Sequence, residues 1–439
     1  MLTKEDNEIL CHVGPGTPMG NLMRQFWIPV LISDELAASD GPPLRVRILG
    51  ENLIAFRTSS GDVGLVANAC PHRGASLFFG RNEEDGLRCV YHGWKFDVGG
   101  ACVDMPSEPA ESNFKNKVRV HAYPCKERAG VIWTYMGPRA EPPPLPMLSG
   151  NLEHEPPSVV TKTLRECNWF QGLEGDIDTS HVGFLHRVFG RKAEPGTFEW
   201  YLDQDRHPKY AAQNMDYGTI YGAYRPAAED THYWRIGQFL FPFYTMPGTG
   251  ILGGPKGRRG YRLWVPLDDG NTMFWMILPR VPSSSDSGPP PAMGPGSNRG
   301  FLPDTTDWLG SWKLAANGSN DYMIDREMQR TVNYTGINGI HVQDQSITES
   351  MGPIYPRTQE HLGTSDRMVI QTRRRVIAAA KALADTGEIP ACIDSPEMYL
   401  VRSGGVVIRR DADWLEATAE LRTAHVNEVY EEQARVGLT

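Results

Sequence analysis

No stretch of this 439-residue chain approaches the roughly 20 consecutive apolar residues that a bilayer-spanning helix requires. The opening, Met1 to Leu10, is charged where a secretion signal would be apolar. No polybasic face stands out and the net charge is −9, so nucleic acid and anionic membranes are not expected partners. The seven cysteines are odd in number, and five of them (Cys11, Cys102, Cys125, Cys167 and Cys392) show no paired spacing, which fits free or buried thiols in a reducing cytoplasm. Internal repeats are also missing. What remains is an ordinary globular composition, 40% hydrophobic and 10% aromatic, in a chain long enough for two or three domains.

The densest local pattern lies between residues 70 and 96. It begins Cys70-Pro71-His72-Arg73-Gly74 and ends Cys89-Val90-Tyr91-His92-Gly93-Trp94. Cys70 and His72 make one ligand pair, Cys89 and His92 the other. Two thiolates and two imidazoles suit a [2Fe–2S] centre of the Rieske kind, in which one iron keeps sulfur ligands and the other takes nitrogen. Gly74 and Gly93 would let backbone amides approach the sulfurs, and Trp94 and Phe96 would keep water off one side. A Cys2His2 zinc site is the competing reading. Zinc pairs are usually separated by two or more residues, so the single residue between Cys70 and His72 favours iron and sulfide.

Around these loops the text is strand-like. Val46 and Ile48 alternate with Arg45 and Arg47, a turn at Gly50 follows, and Leu53 to Phe56 returns. Gly99-Gly100 predicts a hairpin between Trp94–Asp97 and Ala101–Val103. Val118 and Val120, then Val131, Trp133 and Tyr135, alternate in the same way. Residues 1–26 read as an N-terminal arm, 27–140 as a small antiparallel β-domain, and Pro138 to Pro146 as a stiff linker. A larger domain, 147–439, mixes strands (Tyr233–Ile236, Tyr261–Val265, Met273–Leu278) with helices. Helices are expected over Asp366 to about Ala384, with Arg373 to Arg375 towards solvent, and over Asp413 to about Ala434, with Trp414, Leu421 and Val429 inward. Residues 282–300, rich in Pro, Gly and Ser, read as a mobile surface loop.

A second group of donors lies in Glu174-Gly175-Asp176-Ile177-Asp178-Thr179-Ser180-His181 and on to His186. On a helix Asp178 and His181 would lie side by side, the carboxylate orienting the imidazole. His186 would then fall roughly 140° round from His181, too far to share one ion. Gly183 permits a break there. Two histidines and a distant carboxylate would form the facial triad of non-haem Fe(II) oxygenases, which leaves positions open for dioxygen.

Taken together, Cys70-x-His72, Cys89-x-x-His92 and Glu174-x3-Asp178-x2-His181-x4-His186 resemble the oxygenase component of Rieske non-haem iron aromatic-ring hydroxylases. The likeness spans essentially the whole chain. Pro15-Gly16-Thr17-Pro18-Met19-Gly20 and Gln343-Asp344 with Glu349 to Ile354 point to the phthalate-dioxygenase-like group. The resemblance implies an α+β fold, a Rieske domain followed by a helix-grip (START-like) catalytic domain with an antiparallel sheet. It also implies Asp344 as the third iron ligand; Asp366, Glu349 and Asp325 are the alternatives, and His341 is structural. It further implies a head-to-tail homotrimer or dimer of trimers in which Asp178 bridges His92 of a neighbouring copy to His181. No glycine loop for a dinucleotide is read after a strand, so NAD(P)H electrons would come through a separate flavin/iron–sulfur reductase.

The implied chemistry is hydroxylation of an aromatic carboxylate with O2. The alternative is oxidative O-demethylation of a methoxylated aromatic acid with release of formaldehyde. A carboxylate needs a fixed cation, and the candidates are Arg225, Arg235, His207 and Lys209. Tyr224, Phe239, Phe241, Phe243 and Tyr244 are candidates for an apolar wall. Two other classes compete: a Rieske electron carrier with a mere docking domain, which would lack the second iron, and a colourless zinc-stabilised binding protein.

Overall fold

The computed structural model describes residues 1–109, 111–148, 159–253, 260–278 and 300–424. Two short helices form the arm. Thr3 caps Lys4–Cys11 through its hydroxyl, and Thr17 caps Pro18–Met23, where Pro18 occupies the first turn, which lacks helical N–H partners anyway. Leu10, Met19, Leu22 and Met23 are fully buried. The arm is pinned to the large domain: Trp169 Nε1 donates to the Leu10 carbonyl at 3.1 Å, and Asn168 Nδ2 to that of Cys11 at 3.0 Å.

Next come three antiparallel sheets. The first pairs Trp27–Ile32 and Cys125–Arg128 on either side of Val131–Tyr135. The second runs Leu44–Ile48, Glu51–Arg57, Val63–Ala67, Ala122–Tyr123, and the third Arg81–Glu83, Gly86–Arg88, Lys95–Phe96, Cys102–Asp104. Ile54, Phe56, Val66, Leu77, Leu87 and Phe96 pack between them, with Cys70, Cys89 and Trp94 in the same core. The hairpin around Gly99-Gly100 is present, Phe96 opposite Cys102. Val118 and Val120 lie outside any strand, because residues 114–117 close into a 3-10 turn.

The large domain is built on an eight-stranded antiparallel sheet. From one edge its order is Val159–Arg165, Thr272–Leu278, Tyr261–Pro266, Tyr244–Met246, Thr231–Leu240, Gly218–Pro226 and Lys209–Met215, with Gly404–Arg409 paired onto Thr231–Leu240. The long helix Arg367–Thr386 packs across the last two strands of that order. Met368, Val369, Thr372, Val376, Ile377 and Ala380 form its buried stripe at helical spacing. Helix Trp169–Ile177 lies on Tyr261–Pro266 and Tyr244–Met246 and touches helix Ile340–Ser350. Helix and sheet approach so closely that a Cβ on Gly172 would sit 2.0 Å from the Trp264 ring. No helix among the described residues is long and apolar enough to cross a membrane.

Several sequence expectations need correction. Arg374 is exposed, but Arg373 is 3% exposed. Four residues after Val369 and three before Val376, it falls on the apolar stripe, and Glu174 and Glu360 meet its charge. The helix expected from Asp413 stops at Ala417. Beyond it, Thr423 bridges to Val401 and Arg402 N donates to Arg422 O at 2.8 Å, a tertiary pairing that overrides the amphipathic pattern. Trp414 does pack inward, stacked on Trp234 at 5.0 Å; Val429 lies outside the described residues, as does the loop 282–300 apart from Gly300. Finally, Gly248-Thr249-Gly250-Ile251-Leu252-Gly253 does have dinucleotide-loop spacing after a strand. It opens no helix among the described residues; Ile251 bridges to Gly405 instead.

Candidate metal centres and active-site cavity

The two loops of the small domain close in the same way. Gly74 N donates to Cys70 O at 2.8 Å and Cys70 N to Ala75 O at 2.8 Å; Gly93 N donates to Cys89 O at 2.9 Å and Cys89 N to Trp94 O at 2.8 Å. Gly74 and Gly93 sit at φ +77° and +78°, where a side chain would be strained, and a Cβ on Gly93 would also meet Pro106 at 2.7 Å. Cys70 and Cys89 are buried, and the imidazoles of His72 and His92 meet edge to face, with centroids 4.4 Å apart and planes at 71°. Trp94 stacks on His72 at 4.4 Å, covering it as expected, whereas Phe96 lies in the core beneath.

This donor set fits a bound iron–sulfur group. His72 Nδ1 is buried without a hydrogen-bond partner, a costly state for a nitrogen that is not ligating. Burial, with Cys89 close by, pushes the Cys70 thiol up to about 11, so a cationic centre is needed to hold the thiolate. Among the described residues, the one group of three or more His, Cys, Asp or Glu donors within 4.8 Å of one another is elsewhere in the chain.

That other group is His181, His186 and Asp344. The helix Trp169–Ile177 ends just before Asp178, so Asp178 and His181 do not share a helix. Asp178 Oδ1 instead accepts from Ser180 N at 2.7 Å, and Oδ2 accepts from His181 N at 3.3 Å while lying 3.2 Å from His181 Nδ1. A 3-10 turn over His181–Gly183 then swings His186 back, leaving the two rings 5.1 Å apart at 78°. The break at Gly183 thus removes the 140° conflict of a regular helix. Asp344 Oδ1, on helix Ile340–Ser350, is 3.0 Å from His186 Nε2 and 3.7 Å from His181 Nε2. Burial alone would raise the Asp344 carboxyl, but His186 and His181 hold it below its ordinary value.

The alternatives to Asp344 are engaged elsewhere. Asp325 caps helix Arg326–Thr331, Glu349 accepts from Glu166 N and from Gln345, and Asp366 accepts from Gly363 N. Glu174 is an internal counter-ion, joined to Arg357 at 3.2 Å and to Arg373. His341 packs on Phe274, 5.6 Å between centroids; burial and the nearby Arg262 and Arg165 push it down to about 4, so it is neutral.

The triad lines a cavity of about 410 Å³, whose apolar lining includes Val182, Phe189, Phe198, Leu202 and Ile340. None of Tyr224, Phe239, Phe241, Phe243 and Tyr244 lines it; the four from Phe239 to Tyr244 are in the main core and Tyr224 stacks on Trp234. Of the four candidate cations, Arg235 alone does. Its Nε donates to Gly248 O at 2.9 Å, Nη1 reaches Thr179 Oγ1, and the guanidinium lies 4.3 Å over the Phe198 ring. Arg235 is 7% exposed with no carboxylate bonded to it among the described residues. Arg225 is buried on Asp205 O at 2.7 Å, while His207 and Lys209 are exposed. Sequence reading missed Arg262, which also lines the cavity but is paired with Asp176, itself held by Thr245 at 2.7 Å and Trp264 at 2.8 Å. A smaller cavity of about 250 Å³ is also lined by Asp178, His181 and Asp344.

Two family models match the chain: "Rieske [2Fe-2S] domain" over residues 26–124 and "LigXa C-terminal domain like" over residues 134–436. The chain is similar to the 3-chlorobenzoate-3,4-dioxygenase oxygenase subunit of Comamonas testosteroni, 44% identical over 94% of this chain and 97% of that protein. It is 36% identical to the phthalate 4,5-dioxygenase oxygenase subunit of Pseudomonas putida, over 95% of each. It is 31% identical to the 5,5'-dehydrodivanillate O-demethylase oxygenase subunit of a Sphingobium species, over 90% of this chain and 84% of that protein.

Proposed function

Because this chain belongs to the Rieske non-haem iron oxygenases, O2-incorporating oxidoreductases with a [2Fe–2S] cluster and a mononuclear iron, we propose that it hydroxylates an aromatic carboxylate. The observation that carries this reading is the cavity, lined by His181, His186 and Asp344, by apolar side chains, and by the buried guanidinium of Arg235, which has no carboxylate bonded to it among the described residues. A benzoate-like molecule would bury its ring against Phe198 and Leu202 while its carboxylate neutralises Arg235.

Cys70, His72, Cys89 and His92 would hold the cluster, and His181, His186 and Asp344 the Fe(II). When bound, these centres supply single electrons and the activation of dioxygen. Asp178 fixes the orientation of His181, and the apolar lining excludes water once substrate is seated. Asp178 would also bridge His181 to His92 of a neighbouring copy in a homotrimer or a dimer of trimers. The exposed Val90 and Tyr91 beside His92, and the exposed Ile340, Ile347 and Met351 on the helix of Asp344, support such contact between copies. Electrons would arrive from a separate NAD(P)H-dependent flavin/iron–sulfur reductase. The five cysteines outside the cluster loops, Cys11, Cys102, Cys125, Cys167 and Cys392, are free thiols, which supports a cytoplasmic setting. The arm 1–26, the Rieske domain 27–140 and the catalytic domain 147–439 are the proposed units.

O-demethylation is the second reading, favoured by the similarity to the O-demethylase subunit. Both are tested by supplying reductase, NADH and a panel of benzoates, phthalate isomers and methoxybenzoates. Substrate-dependent O2 uptake with a ring-hydroxylated product is expected. Stoichiometric formaldehyde would select the second reading, and no response to any aromatic acid would overturn both.

A further inference from the structure

The two histidines of the mononuclear site are supported by chemically different partners. His181 Nδ1 faces the carboxylate of Asp178 at 3.2 Å, whereas His186 Nδ1 faces the side-chain oxygen of Gln343 at 2.7 Å. Gln343 is 6% exposed and immediately precedes Asp344 on helix Ile340–Ser350. Its amide has only one workable orientation. Gln343 Nε2 lies 2.8 Å from the Ile337 carbonyl, which can only accept, so the nitrogen must face Ile337 and the oxygen must face His186. That oxygen can only accept in turn, so the proton of the neutral imidazole sits on Nδ1 and the Nε2 lone pair is left to point at Asp344 and the site centre.

The anchor behind Gln343 is itself fixed. The Ile337 carbonyl also receives Asn333 Nδ2 at 3.2 Å, and Asn333 Oδ1 accepts from Gly336 N at 2.6 Å and Thr335 N at 3.1 Å. A loop tied by Asn333 therefore holds Gln343, and Gln343 holds His186. We propose that Gln343 is a positioning residue for the mononuclear iron: it sets the tautomer and ring orientation of His186 and, being neutral, keeps His186 a weaker donor than the carboxylate-backed His181. One short segment then does two tasks, Asp344 supplying a ligand while its neighbour orients another. The inference rests on the assignment of Fe(II) to His181, His186 and Asp344.

The test uses the full-length protein with its cluster intact, its mononuclear site emptied by chelation and titrated anaerobically with Fe(II), and separately with Co(II) for its visible spectrum. Gln343→Leu leaves His186 Nδ1–H without an acceptor and should weaken Fe(II) binding on the order of 10–100-fold, with the cluster spectrum unchanged. Gln343→Glu keeps an acceptor of the same shape but adds charge. It should retain Fe(II) and shift the Co(II) spectrum, which a purely structural role would not do. Wild-type Fe(II) affinity in Gln343→Leu, or one Co(II) spectrum for both wild type and Gln343→Glu, overturns the proposal. If Gln343→Leu fails to fold, the Gln343→Glu spectrum decides alone. A wild-type protein that takes up no iron at this site would instead bring down the parent assignment, a distinguishable result.

Discussion

Asp178 Oδ2 lies 3.2 Å from His181 Nδ1, at the point where a helix ends and both cavities meet the proposed iron site. Burial alone would raise the Asp178 carboxyl, but the hydrogen bond and charge of His181 hold it below its ordinary value. An anion is thus kept beside an imidazole of the proposed iron site. Asp178→Asn keeps the shape and removes the charge. Steady-state turnover should fall on the order of 10–100-fold or more while iron content and cluster spectrum persist; full turnover would remove Asp178 from the electron path.

Asp344→Ala should leave a red-brown protein that has lost its mononuclear iron. The two loops proposed to hold the cluster belong to a separate core, so they do not depend on helix Ile340–Ser350. Iron analysis beside the cluster absorbance checks this, and retained iron would move the third ligand elsewhere.

Arg235→Met conserves much of the side-chain volume but removes the charge proposed to receive the carboxylate. Hydrogen bonds to charged groups are worth about 1.5–3 kcal/mol, so KM for an aromatic acid should rise on the order of 10–100-fold. A neutral analogue of the same ring should be nearly unaffected. Equal effects on both would assign Arg235 to structure.

Glu174 gives a pH prediction. Burial disfavours its charge, but Arg357 and Arg373 outweigh that and lower its pKa in the folded state. A depressed carboxyl contributes stability that is present above its unfolded value, near 4.3, and is lost as pH falls through the folded value. Glu174→Gln should therefore cost about 3–5 kcal/mol at neutral pH, because Arg357 stays buried without its carboxylate partner while Arg373 keeps Glu360, and should flatten the acid limb of the stability curve. Thermal melts from pH 7 to pH 3 measure both.

The readable parts of the site were those whose chemistry is local. Cys70 with His72 and Cys89 with His92 each sit in one tight loop, so the proposed cluster donors could be named from their spacing. His181 and His186 were visible as a pair, but helix periodicity set them apart, and only the 3-10 turn at Gly183 rejoins them. Asp344 lies far along the chain and entered through resemblance. Arg262 and Phe198 were invisible because nothing in their neighbourhoods tells which face of a strand or helix will meet a cavity. Arg373 misled for the opposite reason: a run of arginines looks solvated until Glu174 and Glu360, distant or across a turn, are brought to it.

The most direct measurement is a single turnover. The purified protein is reduced chemically, freed of reductant, and mixed with an aromatic acid and O2 in the absence of any reductase. The reduced-cluster EPR signal should disappear as an oxygenated product forms on the timescale of turnover, with both changes dependent on the acid. A cluster that stays reduced in the presence of every aromatic acid tried, or that is oxidised without product, would contradict the proposed function.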